Sequence, residues 1–306
     1  MRWNSSSLTT DRPTNSWQVI SRSGVPCHRI ANSGARAACL FGLDRTRAPF
    51  VLFLDADDEL APGAVARILD CLDPDIAKLQ FPLTRIDADG AVISPGIPAL
   101  EDFRDRDGLQ RLVLRQGVYT SPPTSGNVFR RDLCEILREA DYDSFVDGAI
   151  LFAAPFYGDV LSLSEELGRY RIHGRNDSGL GQLPQAATLE RDLKRFVARM
   201  DHLRRILDRQ GLGHRLVRPQ DTYFFLETEF HARMARGERP SLTDMGRLLG
   251  ALWRDPRSPR VRGALAAFFL LATILPNRRS QPLLAYRLKA GSRSMRGFLR
   301  VMMAPR

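Results

Sequence analysis

The feature that most narrows the fold is an apolar run that ends in carboxylates: Phe50-Val51-Leu52-Phe53-Leu54, then Asp55-Ala56-Asp57-Asp58. A short continuous apolar run opened by Pro49 suits a strand buried in a parallel sheet. The carboxylates at its end repel one another and must reach water or a cation. Ligands of open parallel sheets bind beyond the carboxyl ends of the strands, and strand alternation sends Asp55 and Asp57 the same way. A divalent cation suits such a place, because Mg²⁺ and Mn²⁺ favour carboxylate oxygens. They keep only one or two from protein while phosphates fill other positions. The same residues also suit a plain strand-to-helix turn in which Asp57 or Asp58 caps the next helix, and a D-x-D tripeptide alone does not choose between the two.

The surroundings read as α/β. Asp11-Arg12-Pro13-Thr14 is turn-like and Ser16 to Ser21 can open a helix. Ala35 to Leu43 is a small-residue helix, and Ala64 to Leu72 is another, starting after Pro62-Gly63. Alternation of strand and helix predicts a parallel sheet covered on both faces. From about residue 96 to 182 the chain is mixed. Pro122-Pro123 and Ser125-Gly126 mark a loop, Leu133 to Leu137 and Gly148 to Tyr157 are helical, and Arg169 to Ile172 is a strand followed by a Gly/Asn/Ser loop. The remainder is helical. Leu189, Leu193, Phe196, Met200, Leu203 and Leu207 form one apolar stripe, which suits packing onto the main domain or a short coiled coil. Ser241 with Asp244 is a capping box opening Leu242 to Leu252.

Charge separates the end of the chain from its body. The net charge is +10, yet residues 254–306 hold twelve Arg or Lys against one acid, Asp255, a charge of +11 that leaves residues 1–253 near −1. Within that tail, Gly263 to Leu275 is an apolar run too short to span a bilayer. Apolar residues mixed with cations suit a helix in the lipid interface, and a buried core helix with a basic tail is the other reading. A basic tail also fits nucleic acid, but residues 1–180 show no aromatic-basic interleaving, so no nucleic-acid partner is expected. Cys27, Cys39, Cys71 and Cys134 are too dispersed for a zinc knuckle or disulfide scaffold. With no apolar segment in the first 25 residues, a cytoplasmic location is expected, peripheral at the inner face of the membrane if the tail binds lipid.

Six further segments carry a resemblance. Ala31-Asn32-Ser33-Gly34-Ala35-Arg36 precedes the acidic run, and Asp11 to Ser16 is similar to a D-G-S-T-D turn. Ser125-Gly126-Asn127-Val128-Phe129-Arg130-Arg131 stands before Val146-Asp147-Gly148 and Phe156-Tyr157-Gly158. Last comes Arg169-Tyr170-Arg171-Ile172-His173-Gly174-Arg175-Asn176-Asp177-Ser178. In this order, the motifs from residue 11 to about 180 resemble family 2 glycosyltransferases, inverting enzymes with a GT-A fold. Ser125 to Arg131 matches that family's acceptor-side segment.

The resemblance implies a Rossmann-like GT-A nucleotide-sugar-binding sheet with a C-terminal helical appendage. The expected divisions are 1–182 for the transferase domain, 183–253 for a helical extension and 254–306 for the basic tail. It implies transfer of a sugar from a nucleotide diphosphate sugar to a hydroxyl of a glycan or lipid-linked acceptor, assisted by Mn²⁺ or Mg²⁺. By similarity Asp55 contacts the nucleoside, Asp57 holds the metal and Asp147 is the base. Asp11, Asn32, Gly34, Arg171 and His173 join the donor pocket. The family's opening strand, roughly V-S-V-I-I-P-x-Y-N, has no counterpart here. Met1 to Thr10 leaves room for the second strand only, which predicts two unpaired strand edges. Cys39-Leu40 replaces Arg-Asn and Val146 replaces Glu. A truncated sugar-nucleotide-binding remnant is therefore the alternative function, ahead of a basic nucleic-acid-binding protein.

Overall fold

The computed structural model describes residues 7–10, 26–31, 33–140, 142, 148–173, 185–275 and 283–284. The chain divides into two compact units, one of residues 1–113, 118–173 and 202–213, the other of residues 114–117, 174–201 and 214–306.

In the first unit, β1 (Ser7–Thr10) and β2 (Cys27–Ile30) pair in parallel, and α1 (Gly34–Arg45) follows. Then come β3 (Phe50–Leu52), β4 (Glu59–Leu60), α2 (Ala64–Cys71), β5 (Ile76–Gln80), β6 (Leu83–Ile86), β7 (Val92–Ile97) and β8 (Phe103–Asp105). The helix α3 (Asp107–Gln116) leads to β9 (Asn127–Arg130), α4 (Arg131–Cys134), α5 (Gly148–Tyr157), β10 (Asp159–Ser162) and β11 (Gly168–Arg171). The strands form three sheets: β1-β2, a five-stranded sheet ordered β3-β9-β5-β10-β8, and a four-stranded sheet ordered β4-β11-β6-β7.

The five-stranded sheet is mixed, which corrects the expectation of a wholly parallel one. β5 and β10 are parallel, but β9 runs antiparallel to both β3 and β5, and β8 antiparallel to β10. The apolar run also stops being strand at Leu52, short of the expected Leu54, which is 44% exposed. Among the described residues β3 hydrogen-bonds to β9 alone, and β1-β2 is a separate sheet. β5 lies inside its sheet and is buried along its whole length. Around it Ile68, Ile76, Leu79, Phe81, Leu83, Val128, Leu163 and Leu167 form one apolar core.

The second unit is helical. α6 (Ala186–Asp208) begins in it and ends in the first unit; of the expected stripe Leu189, Phe196, Met200, Leu203 and Leu207 are buried and Leu193 is half-buried. It is followed by α7 (Tyr223–Ala235), α8 (Leu242–Trp253) and α9 (Pro259–Ile274). The Ser241–Asp244 capping box forms as expected. Tyr223, Leu226, Phe230 and Met234 of α7 meet Leu248 and Leu252 of α8 and Leu265, Phe269 and Ala272 of α9 in a single core.

The Phe156-Tyr157-Gly158 turn has a steric cause. At Gly158 the chain leaves α5 and enters β10 against Asp75, whose carbonyl accepts from the Asp159 N–H at 2.9 Å. A Cβ on residue 158 would run into that carbonyl and lie 3.1 Å from the Ala77 nitrogen. Both obstacles are backbone and cannot swing away. Gly158→Ala is expected to destabilise the first unit by about 1–3 kcal/mol, read as a lower urea midpoint with an unchanged slope.

Candidate functional site

The acidic residues join two sheets. β3 belongs to the five-stranded sheet and β4, only six residues further on, to the four-stranded one. Between them the chain closes a tight turn in which the Asp55 carbonyl accepts from the Asp58 N–H at 3.1 Å. Because the strand has already ended, the expected strand alternation of Asp55 and Asp57 does not operate. The turn gives each carboxylate its own environment.

Asp55 is exposed, and its N–H donates to Ser125 Oγ at 3.0 Å. The Asp57 carboxylate lies half exposed, with its Oδ2 2.8 Å from Nε2 of His173. Asp58 is buried: its Oδ1 accepts from the Arg171 N–H at 3.1 Å, while its Oδ2 has no hydrogen-bond partner. Burial raises the Asp58 pKa above the ordinary 3.8; hydrogen bonds from Ser125 and the Arg171 backbone oppose that shift, and the Asp57 charge adds to it.

Arg171 holds the turn from the neighbouring strand β11. Its Nε donates to the Asp57 carbonyl at 3.0 Å, one terminal nitrogen donates to the carbonyls of Asp87 and Ala88 at 3.1 and 3.0 Å, and the other pairs with Glu59. The guanidinium thus spends itself on protein acceptors and orients the backbone of Asp57. Two residues along, His173 meets the Asp57 side chain. Arg171 and His173, both expected in the donor pocket, are both brought to Asp57.

A second support comes from the loop before β9. Asn127 donates to the carbonyls of Pro122, Pro123 and Thr124 at 3.2, 2.8 and 3.4 Å, and its Oδ1 accepts from Ser121 Oγ at 3.1 Å. Ser121 in turn accepts from Lys78 Nζ at 2.7 Å, and Lys78, fully buried in β5, also reaches Gln80 Oε1 at 2.8 Å and Tyr119 Oη at 3.2 Å. A chain of buried hydrogen bonds therefore runs from β5 to the loop that carries Ser125. Buried polar groups are costly unless satisfied, so such a network fixes one loop conformation. Asp58 was expected in the acidic run and Ser125 and Asn127 in the acceptor-side segment, but the part of Lys78 was missed. The available signal was Lys78 itself, a lysine within the run Ile76 to Phe81.

Gly34 opens α1 with φ +84°, a left-handed conformation that accounts for glycine there. Arg130 pairs with Asp132 and donates to the carbonyls of Pro74 and Tyr157, and Arg131 donates to the Leu43 carbonyl. Asp11, Asn32 and Asp147 lie outside the described residues. Ser125→Ala would remove the acceptor of the Asp55 N–H and a donor to buried Asp58. It is expected to cost about 1–3 kcal/mol and to raise the Asp58 pKa further, readable by carboxyl NMR; an unmoved Asp58 titration would refute the contact.

The sequence between residues 16 and 120 matches the Glycosyl transferase family 2 model, a span that includes the acidic turn and ends before Asp147 and His173. An uncharacterized glycosyltransferase of Nostoc sp. is 30% identical over 152 residues, 48% of this chain and 47% of the relative. The chain thus spans about half the length of that curated relative. Among solved structures, Staphylococcus aureus TarS 1–349 in complex with UDP-GlcNAc superposes with a TM-score of 0.47 at 14% identity, covering 96% of this chain and 80% of the other. A Pyrobaculum calidifontis mannosyltransferase in complex with GDP-Man and Mn²⁺ gives 0.40 at 13% identity, covering 99% and 79%. Likenesses this slight carry no argument about the site. Over residues 16–120, the acidic turn included, the chain is thus similar in sequence to glycosyl transferase family 2.

Proposed function

We propose that the chain transfers a sugar from a nucleotide diphosphate sugar to a hydroxyl of a glycan or lipid-linked acceptor, with inversion and with a divalent metal. The observation that carries this reading is the Asp57–His173 pair, set at 2.8 Å on a turn fixed by Arg171 and Ser125 within the family 2 segment. Among the described residues no group of three or more His, Cys, Asp or Glu converges on one point. A two-ligand set still fits Mn²⁺ or Mg²⁺, because such ions take most of their oxygens from phosphate and water. The imidazole favours Mn²⁺ of the two. Asp57 and His173 would hold the ion, which supplies charge neutralisation for the departing diphosphate.

The chain's own residues supply the rest. Arg171 keeps the Asp57 backbone from shifting, and buried Asp58 braces the turn from beneath. Asp55, its N–H tied to Ser125, keeps its carboxylate exposed for the nucleoside. Asp11, Asn32 and Gly34 belong by resemblance to the same pocket. Asp147 takes the proton of the acceptor hydroxyl as its oxygen bonds the anomeric carbon and the bond to the diphosphate breaks. Inversion requires that base on the face opposite the leaving group.

One observation favours a second reading, donor binding without transfer. β3, which leads to the acidic turn, has a single hydrogen-bonded neighbour among the described residues, and β1-β2 stands as a sheet of its own. Calorimetry with a panel of nucleotide sugars, followed by a transfer assay, separates the two. Donor binding is expected to require Mn²⁺ or Mg²⁺ and to vanish in Asp57→Ala. Asp147→Asn is expected to keep donor affinity and to lose about 10²–10⁴-fold in turnover. Undiminished binding in EDTA would remove the metal from the scheme, and wild-type turnover in Asp147→Asn would remove the base. Binding with no transfer to any acceptor would favour the second reading.

A further inference from the structure

We infer that the outward face of α9, with the arginine-rich turn before it, seats on an anionic lipid surface. The inference goes beyond sugar transfer and does not rest on it. The core reading of the Gly263 to Leu275 run accounts for one side of the helix only, because α9 has two apolar faces. One buries Leu265, Phe269 and Ala272 in the core with α7 and α8. The other leaves Val261 45%, Leu270 40% and Ile274 75% exposed, with Ala264 and Ala267 exposed between them. These residues recur at helical spacing and form one stripe. A helix that faces only water carries charges on its outer face. From Gly263 to Leu275 this one has none.

The start of the helix supplies the charge. Trp253 is 66% exposed, and Arg262 stacks over its ring at 5.6 Å while donating to its carbonyl at 2.8 Å. Arg254, Arg257 and Arg260 are exposed beside it. Asp255, the one acid in residues 254–306, is buried and bound by Arg257 at 3.0 Å, so the exposed collar is cationic. An exposed tryptophan beside arginines, continuous with an uncharged apolar stripe, has the composition of a bilayer interface segment. Nucleic acid would complement the arginines and leave the apolar stripe unmatched. A second copy of the chain would complement the stripe and bring cations instead of anions. No described helix is long and apolar enough to cross a membrane, and α9, with 16 residues, spans about 24 Å, so it would lie in the interface plane.

The test is flotation of the full chain with vesicles of phosphatidylcholine mixed with phosphatidylglycerol, and with phosphatidylcholine alone. Sedimentation without lipid serves as a companion measurement. The chain is expected to float with the anionic vesicles, to stay down with the neutral ones and to be released by salt. Leu270→Glu with Ile274→Glu changes only outward residues, so it is expected to keep the wild-type circular dichroism and Tm while abolishing flotation. Arg254→Gln with Arg260→Gln is expected to weaken partition by about fivefold per arginine. A wild-type chain that stays down beside anionic vesicles at low salt would overturn the inference. So would a folded Leu270→Glu/Ile274→Glu variant that floats like wild type, because lipid would then be bound elsewhere. Self-association that this variant breaks, without any flotation of the wild type, would make the face a contact between copies of the chain.

Discussion

The bonds from Arg171 to the Asp57-Asp58 turn are the contact on which the rest of the site depends. A turn of three nearby carboxylates is electrostatically unstable in isolation, and nothing in its own sequence dictates where each side chain points. Arg171 resolves this from β11, which pairs with β4 directly after the turn. Its backbone N–H satisfies one oxygen of Asp58 and its guanidinium grips the Asp57 carbonyl. The strand that carries this arginine also delivers His173 to Asp57. A single strand therefore sets both the backbone and the side-chain geometry of the acidic turn.

Its counterpart on the other side is the Lys78–Ser121–Asn127 network. It starts in the most buried strand of the five-stranded sheet and ends at the loop presenting Ser125. The two supports differ in physical character. Arg171 acts through charge-assisted bonds on partly exposed atoms. The Lys78 network acts through burial, where an unmade hydrogen bond is expensive and alternative loop conformations are correspondingly disfavoured. Ser125 connects them, since its Oγ accepts from the Asp55 N–H and its hydroxyl counters the rise that burial brings to the Asp58 pKa.

In the second unit the same question, which face of an element finds a partner, has a different answer. α7, α8 and α9 share one core, and α9 contributes Leu265, Phe269 and Ala272 to it. Its remaining apolar residues exceed what that core accepts. The excess is displayed next to a cationic collar whose only acid is buried.

Much of this was legible along the chain. The helices at Gly34–Arg45, Ala64–Cys71 and Gly148–Tyr157 and the capping box at Ser241 follow from local composition and turn chemistry, which act over a few residues. The acidic run, and its place among motifs in a set order, was likewise a property of the sequence alone. The sequence could not assign strand direction, because β9 reaches β3 and β5 from some 50 to 80 residues away and either orientation satisfies the same apolar pattern. Nor could it tell which of Asp55, Asp57 and Asp58 is buried. That depends on Ser125 and Arg171, 70 and 113 residues distant from their partners. Desolvation and hydrogen-bond geometry exist only once distant strands are packed, so the sequence named the acidic turn and the tertiary structure decided the part each carboxylate plays.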